Sequence, residues 1–403
     1  MSHRFGILRR FRFNLPQRIA ATLLGLFLLQ GLWLVSRQTL SDQDYQYARC
    51  GRETWEKPSP LAGYYTSCGN IRDGILAYRL AGLPLTLNLL AERASDPFRK
   101  PENRVVQESG AGVSTWELRH QMTHILLLLR LPFLFAGCVL GGCIWWVSRR
   151  LYGNLGGYTA LALFCFSPVI LKACVSPNPE VWAALGVYGG VYTCIGVAHA
   201  MQGPRRKWRP RILLLTVIFG VTAAAHFVAL PLAALFGLAG MLWVAEGHRG
   251  QTLPIVLAAA VGALVILFAF YGFSPDAYSY VFRSADAFLW ISIDPARRFF
   301  GTLSNGGITI AKCAAVVFFL AERRSRYFGN STPFLCALVL MLLVMTGAPG
   351  SPWLWALPFL FTFIGGVFAD TYQGPRGRLA LYAGGAIVLA QAVLCILSLP
   401  SLV

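Results

Sequence analysis

Long apolar segments separated by short polar connectors make up most of the chain. A bilayer core of about 30 Å requires about 20 apolar helical residues. The segment 211–245 is too long for one span, and we expect a hairpin there that breaks within residues 226–231. The pattern therefore predicts an all-α polytopic membrane protein with about 11 transmembrane helices. The other windows of suitable length are 19–36, 125–147, 157–173, 181–200, 253–273, 305–321, 333–347, 353–369 and 379–398.

Basic residues mark alternate connectors between these segments and predict the orientation of the chain. Connectors rich in arginine and lysine are retained in the cytoplasm during insertion. We expect a cytoplasmic N-terminus, an uncleaved first span at 19–36 and a location in the inner (plasma) membrane. The basic residues on the predicted inner side include Arg4, Arg9, Arg10, Arg12, Arg18, Arg149, Arg150, Arg205, Arg206, Lys207, Arg209, Arg211, Arg249, Arg323, Arg324, Arg326, Arg376 and Arg378.

Composition excludes a soluble domain. Of 403 residues, 56% are hydrophobic and 13% are charged, which is more apolar surface than one core can bury. The net charge of +18 is explained by topology and by attraction to anionic headgroups of membrane lipids. No nucleic-acid partner is expected.

The connectors predicted to lie outside the cytoplasm differ greatly in length. We treat residues 1–403 as one transmembrane domain with a long extracytoplasmic loop at 37–121 and a second loop at 273–303. Residues 71–93 are apolar with interspersed charges and contain a Gly-Leu-Pro break, which favours helices in the interface plane. Function is expected to concentrate in these loops and in the short turn near 173–180.

Most of the ten cysteines lie within predicted spans, where they act as small apolar residues. Cys50 and Cys68 differ because both lie in the long outer loop, where disulfides persist. A bridge between them is compatible with this location, as are two free thiols.

Two acidic segments are candidates for chemistry. Asp42 and Asp44 follow the first span, where an ionised carboxylate can act as a base or ligate a cation; a solvated helix cap is the alternative. Lys172 and Glu180 flank a proline-rich turn, and the helix dipole alone would explain an acid at position 180. Arg130, at the outer end of its span, either extends to the interface or contacts a carboxylate.

Three motifs in the middle of the chain occur in a recognisable order. The chain resembles the GT-C membrane glycosyltransferases of the protein O-mannosyltransferase and aminoarabinose transferase type (glycosyltransferase family 39-like), in which these motifs recur in this order. No single motif is diagnostic, but their order is. The motifs are Arg130-Leu-Pro followed by Gly137, the turn Ser148-Arg149-Arg150-Leu-Tyr-Gly153, and Phe166-Ser167-Pro168.

The resemblance also extends to the acidic segments. The family has an acidic pair followed by Tyr-Ala, and aligning Tyr47-Ala48 with it places Asp44 on the second acidic position, Gln43 on the first and Asp42 one residue away. Segment 223–235 is similar to the broken helix pair of the family. Glu180 matches the position of an acidic residue before span four, and His226 stands where a lysine is frequent. The first outer loop has no His-Pro-Pro-Leu-like element.

The resemblance implies displacement at the anomeric carbon of a sugar carried on a polyprenyl phosphate, at the extracytoplasmic face. Asp44 or Asp42 is then the base or a metal ligand, and Asp44 and Glu180 are the residues that would hold a divalent cation. The need for a cation, the sugar and the acceptor stay open. The implied substrate-binding residues are Glu180, Lys172, His226, Arg283, Arg297 and Arg298.

Two other classes of function remain. An inactive GT-C-like scaffold or lipid-binding subunit would keep the fold without the chemistry. A secondary transporter would place ionisable residues near the middle of the bilayer, whereas the charges here lie at the predicted interfaces. For the three arginines of the second outer loop, anchoring to headgroups is the alternative to phosphate binding.

Overall fold

Helices dominate the computed structural model, which describes residues 14–56, 65–66, 69–71, 74–95, 115–203, 208–273, 303–344, 352–375 and 377–403. Strands β1 (Tyr65–Thr66) and β2 (Gly69–Asn70) pair antiparallel. The described α-helices are α1 (Leu15–Arg37), α2 (Asp42–Glu56), α3 (Ile75–Ser95), α4 (Thr115–Cys165), α5 (Pro168–Cys174), α6 (Glu180–Met201), α7 (Arg209–Ala225), α8 (Ala229–Val244), α9 (Arg249–Phe270), α10 (Gly306–Ala321), α11 (Phe328–Val344), α12 (Pro352–Tyr372) and α13 (Gly377–Ser398).

Helix α4 contains two predicted spans joined by a reversal of the chain. Gly153 has φ 80° and ψ −173°, a conformation that favours glycine. The two arms lie side by side, because a Cβ added to Gly157 would lie 3.0 Å from Cβ of Arg149. A Cβ added to Gly141 would lie 2.8 Å from the ring of Phe164. The long helix is therefore a hairpin, as the windows 125–147 and 157–173 predict.

The predicted break in segment 211–245 is confirmed. Helix α7 ends at Ala225 and α8 begins at Ala229. Between them, His226 leaves the helical conformation with φ −154° and ψ 116°. A single span would have been longer than the bilayer is thick, so the chain turns instead.

The bundle is organised around α12. In its apolar window 89% of residues are buried, and its aromatic side chains include the fully buried Trp355, Phe359, Phe361 and Phe363. In the windows of α9 and α13 only 28% and 17% are buried. Peripheral helices that expose apolar side chains require a lipid environment.

Seven segments of the described chain are long and apolar enough to cross a membrane. The protein is an integral membrane protein with an all-α transmembrane bundle. The total of about 11 spans stays a prediction, because the shorter helices do not settle it.

The bundle has two ends. The first, called the α2 face below, carries α2, the α5–α6 turn (175–179) and the α7–α8 turn (226–228). The opposite end, called the arginine face, carries Arg149 and Arg150 in the α4 reversal, Arg211 at the start of α7, and Arg323 and Arg324 between α10 and α11. Which face is cytoplasmic stays the prediction of the positive-inside rule.

Helix α3 differs from the expectation of a break at Gly-Leu-Pro. It is one helix from Ile75 to Ser95 with Pro84 inside it. Close packing against α2 accounts for this, because a Cβ on Gly82 would lie 2.1 Å from the backbone of Gly51. Tertiary contact at this crossing outweighs the hydrogen bond that proline lacks.

Candidate functional site

A buried ion pair joins α2 to α4 at the α2 face. Arg130 Nε donates to Asp44 Oδ1 at 3.1 Å, and Arg130 Nη2 donates to Oδ2 at 2.5 Å. Arg130 Nη1 also donates to Gln38 Oε1 at 2.6 Å. Asp44 is 0% exposed and Arg130 is 4% exposed. Of the two alternatives for Arg130, the structure shows the contact with a carboxylate.

Asp44 also caps its own helix. The backbone N–H and the hydroxyl of Ser41 donate to Asp44 Oδ2 at 3.0 Å and 2.7 Å, and the backbone N–H of Asp44 donates to Ser41 Oγ at 3.2 Å. This reciprocal pair is a capping box. The alternative of a helix cap is correct for Asp44, but the cap is buried rather than solvated. Oδ2 accepts three hydrogen bonds, so its capacity is already used.

The neighbouring residues of α2 face outward. Asp42 and Gln43 are exposed. Gln43 Nε2 donates to the carbonyl oxygen of Pro177 at 3.2 Å, which ties the start of α2 to the α5–α6 turn. The first acidic segment and the proline-rich turn thus meet, as a shared site requires.

Glu180 and His226 meet through a tryptophan. Trp355 Nε1 donates to Glu180 Oε2 at 2.8 Å. The ring of His226 packs edge-on against Trp355, with centroids 5.1 Å apart and planes at 77°. Glu180 is half-buried, His226 is 7% exposed and Trp355 is fully buried. The backbone N–H of Glu180 also donates to Asn178 Oδ1 at 3.1 Å, which stabilises the start of α6.

The residue before α3 closes the same face. Gly74 has φ 75°, and a Cβ there would lie 3.3 Å from Pro179 and 3.6 Å from the carbonyl oxygen of Ala225. The outer loop therefore contacts both the α5–α6 turn and the end of α7. A side chain at this position would be strained and crowded.

The predicted phosphate-binding residues are placed only in part. Lys172 lies on α5 and is exposed, and it forms no ion pair with any carboxylate in the described ranges. Arg283, Arg297 and Arg298 lie outside the described residues. Their convergence with Asp44 and Glu180 stays a prediction.

An aromatic cluster lies next to Asp44 on α2. The rings of Tyr47 and Tyr78 are stacked with centroids 4.2 Å apart, and Trp182 of α6 packs against their cluster. Burial raises the pKa of Tyr78, so its hydroxyl stays protonated at neutral pH. Trp182 Nε1 is buried without a hydrogen-bond partner in the described part of the chain. A buried N–H without an acceptor is uncommon and requires an explanation.

Cys50 is buried on α2 and is disulfide-bonded. Cys68 lies outside the described residues, so its pairing with Cys50 stays a prediction. A bridge between these two positions would close a short segment of the outer loop that follows α2.

The described residues of this face form no ready-made site for a divalent cation. Among the described residues no three His, Cys, Asp or Glu side chains cluster in a way that could hold a metal ion. Asp44 already contacts the guanidinium of Arg130, and Glu180 accepts from Trp355. A metal at these carboxylates would compete with these donors, and no reaction step is assigned to one below.

Sequence reasoning missed two partners in this site. Gln38 contacts Arg130, and Trp355 contacts Glu180. Tryptophan near a membrane interface is common as an anchor, so its position alone indicates no binding role. A polar Gln38 directly after the first span is the weak signal that was available.

The fold has solved counterparts. The structure is similar to ArnT from Cupriavidus metallidurans bound to undecaprenyl phosphate, with a TM-score of 0.60 and 13% identity over 93% of this chain and 63% of that chain. For the apo oligosaccharyltransferase of Archaeoglobus fulgidus the TM-score is 0.55 and the identity is 11%, over 93% of this chain and 55% of that chain. For archaeal AglB from Archaeoglobus fulgidus, in complex with an inhibitory peptide and a dolichol-phosphate, the TM-score is 0.52 and the identity is 12%, over 95% of this chain and 55% of that chain.

Sequence comparisons give no such match. No protein-family model and no curated protein matches the chain. The chain spans 55% to 63% of the length of the three solved proteins named above. At this identity the likeness concerns the fold. The chain has the GT-C fold that ArnT and AglB share.

Proposed function

We propose that this protein transfers a sugar from a polyprenyl-phosphate donor to an acceptor at the α2 face, which we take to be extracytoplasmic. The observation that carries the proposal is the buried Asp44–Arg130 ion pair, which fixes the start of α2. There Gln43 contacts the α5–α6 turn and Asp42 is exposed. A buried ion pair contributes little net stability compared with apolar packing. A role in positioning the site explains why one is present here.

The fold supports the same class of chemistry. ArnT was solved with undecaprenyl phosphate and AglB with dolichol-phosphate. Both ligands are phosphates on long isoprenoid chains, which a transmembrane bundle can receive sideways from the bilayer. We extend this donor class to the present chain.

The reaction is a displacement at the anomeric carbon. An acceptor hydroxyl or amine attacks that carbon, and the bond from the carbon to the phosphate oxygen breaks with its electron pair leaving on the phosphate. A base must take the proton of the acceptor, and cations must stabilise the leaving phosphate. We assign the phosphate contact to Lys172 together with Arg283, Arg297 and Arg298.

We assign the base to Asp42 and a positioning role to Asp44. The sequence named Asp44 first for this role and Asp42 as the alternative. Asp44 is buried and hydrogen-bonded to Arg130 and Ser41. Asp42, the first residue of the same helix, is exposed. An acceptor can reach Asp42 without breaking the ion pair.

The remaining polar groups of the face are proposed to bind the sugar and the acceptor. Glu180 and His226 share Trp355, so they present one polar patch. Trp182 Nε1, in the aromatic cluster beside α2, lacks an acceptor among the described residues. A sugar hydroxyl would supply that acceptor.

The test compares cells that lack the gene with cells that carry it back in wild-type or variant form. Mass spectrometry of lipid-linked sugars, glycolipids and glycoproteins should show donor accumulation and product loss in the deletion, both reversed by the wild type. Asp42→Asn should reduce product formation by about 100-fold or more, the range of general-base catalysis. Glu246→Gln, an exposed carboxylate outside the α2 face, should restore the product fully.

The alternative is a catalytically inactive lipid-binding protein of the same fold. It is favoured by one observation, the saturation of Asp44 Oδ2 by Arg130 and Ser41. If the deletion changes no glycolipid or glycoprotein while the purified protein binds polyprenyl phosphate, this alternative holds. Full activity of Asp42→Asn would instead refute the assignment of the base.

A further inference from the structure

A large cleft opens near the arginine face, on the side of the bundle formed by α4, α6 and α7. Its volume is about 940 Å³, in the range of cavities that bury small ligands. It runs along α4 from Val139 to Leu151, a distance of roughly 18 Å at the helical rise. The cleft is therefore long and narrow and reaches from one membrane boundary towards the bilayer middle.

Two glycines leave open space along the cleft. Gly142 on α4 and Gly196 on α6 line it, and a Cβ added to either would meet nothing within 4 Å. Glycines in membrane helices usually permit close packing of a neighbouring helix. Here they border open space instead, so the groove is available to a flexible apolar chain.

The mouth of the cleft is basic. Arg150, Arg211 and His199 line it and are exposed. Arg211 Nη1 donates to the carbonyl oxygen of Gly196 at 2.6 Å, and the guanidinium of Arg150 lies 5.4 Å from the centroid of the Trp146 ring. Each guanidinium keeps further N–H donors for an anion. No carboxylate is present among the described lining residues, so the local charge favours a negative headgroup.

Beyond its mouth the cleft is lined by aromatic and aliphatic side chains. Tyr188 and Tyr192 of α6 and Ile218 of α7 line this part. Tyr192 lies four residues from Gly196, about 6 Å along α6, so the lining becomes apolar within about one helical turn of the basic mouth.

We propose that this cleft binds one anionic diacyl phospholipid from the leaflet at the arginine face. Its phosphate lies at Arg150 and Arg211, and one acyl chain follows the apolar lining past Gly142. An acyl chain matches the cleft length of roughly 18 Å, which the longer chain of a polyprenyl phosphate exceeds. The site is separate from the α2 face, so the proposal does not depend on the proposed sugar transfer.

The experiment is native mass spectrometry of the purified full chain titrated with phosphatidylglycerol, with phosphatidylcholine of the same acyl chains, and with undecaprenyl phosphate. The first phosphatidylglycerol should bind at least about tenfold more tightly than either other lipid. Arg150→Gln combined with Arg211→Gln should weaken it about tenfold or more. Arg378→Gln, an exposed arginine outside the cleft, should leave it unchanged.

A second set of variants fills the groove without altering its charge. Gly142→Leu and Gly196→Leu should each weaken phosphatidylglycerol binding about tenfold, whereas Gly385→Leu, at another glycine with open space, should not. These variants also test the proposal if the arginine variants fail to fold. Equal binding of the two phospholipids, tighter binding of undecaprenyl phosphate, or a change in oligomeric state without a change in lipid binding would each overturn the proposal.

Discussion

Removing one charge of the Asp44–Arg130 pair is expected to destabilise the protein strongly. Asp44→Asn keeps a side-chain oxygen that can accept from Ser41, but it leaves the guanidinium of Arg130 without its counter-charge. Arg130 is 4% exposed, so water cannot replace the lost carboxylate. Arg130→Met has the corresponding effect on Asp44, because it leaves a buried carboxylate without its cation.

The magnitude follows from the contacts. The pair has two charge-assisted hydrogen bonds, each contributing about 1.5–3 kcal/mol. Breaking a buried pair from one side costs about 3–5 kcal/mol, and we expect this loss in the free energy of unfolding for each single variant. The double variant carries no buried charge. It should be more stable than the sum of the two losses implies, by at least about 1.5 kcal/mol.

The assay is denaturant-induced unfolding of the purified protein in detergent micelles, with wild type, both single variants and the double variant compared. Glu56→Gln is the matched control, because it breaks the partly exposed Arg52–Glu56 pair at 2.8 Å on the same helix and should cost less than about 1 kcal/mol. Ser41→Ala removes the cap alone and should cost about 1 kcal/mol. The reasoning is refuted if Asp44→Asn costs no more than Glu56→Gln, or if the two single losses simply add.

Two further predictions concern particular side chains of α2, α3 and α6. Trp182→Phe removes a buried N–H without a described partner, so the free energy of unfolding should change by less than about 1 kcal/mol. The affinity for the donor, measured by titration, should fall about fivefold to tenfold, because the sugar loses a hydrogen-bond donor. Unchanged affinity would remove Trp182 from the site. Gly82→Ala should destabilise by about 1–3 kcal/mol in the same unfolding assay, because its Cβ would collide with the backbone of Gly51. Gly25→Ala, in open space on α1, should be neutral or stabilising, and equal effects of the two substitutions would contradict the close crossing.

Local signals in the sequence were sufficient for most of the long helices, although the window 157–173 is interrupted between α4 and α5. The break at His226 could be predicted because an uninterrupted segment would be longer than the bilayer is thick. The two arms of α4 could be predicted because basic residues mark the turn that Gly153 makes. The Gly-Leu-Pro segment misled the prediction because Pro84 is accommodated by packing between α3 and α2, which no local pattern reveals.

The candidate site could be predicted only as a set of residues. Asp42, Asp44 and Glu180 were identified from their positions after predicted spans. The partners of these residues could not be identified, since Asp44 and Arg130 are separated by 86 positions and Glu180 and Trp355 by 175. Such pairs are decided by how the helices pack. The burial of Asp44 likewise results from helix packing. It is the reason why Asp42 rather than Asp44 is the proposed base.

Single-turnover release of polyprenyl phosphate by the reconstituted protein, measured beside donor binding, tests the central claim most directly. Asp42 is proposed to take the proton of the acceptor in a frame that Asp44 and Arg130 hold. Asp42→Asn should therefore lower the release rate by about 100-fold or more while the donor dissociation constant changes by less than about threefold. A release rate equal to that of the wild type, or a loss explained entirely by weaker donor binding, would contradict the account.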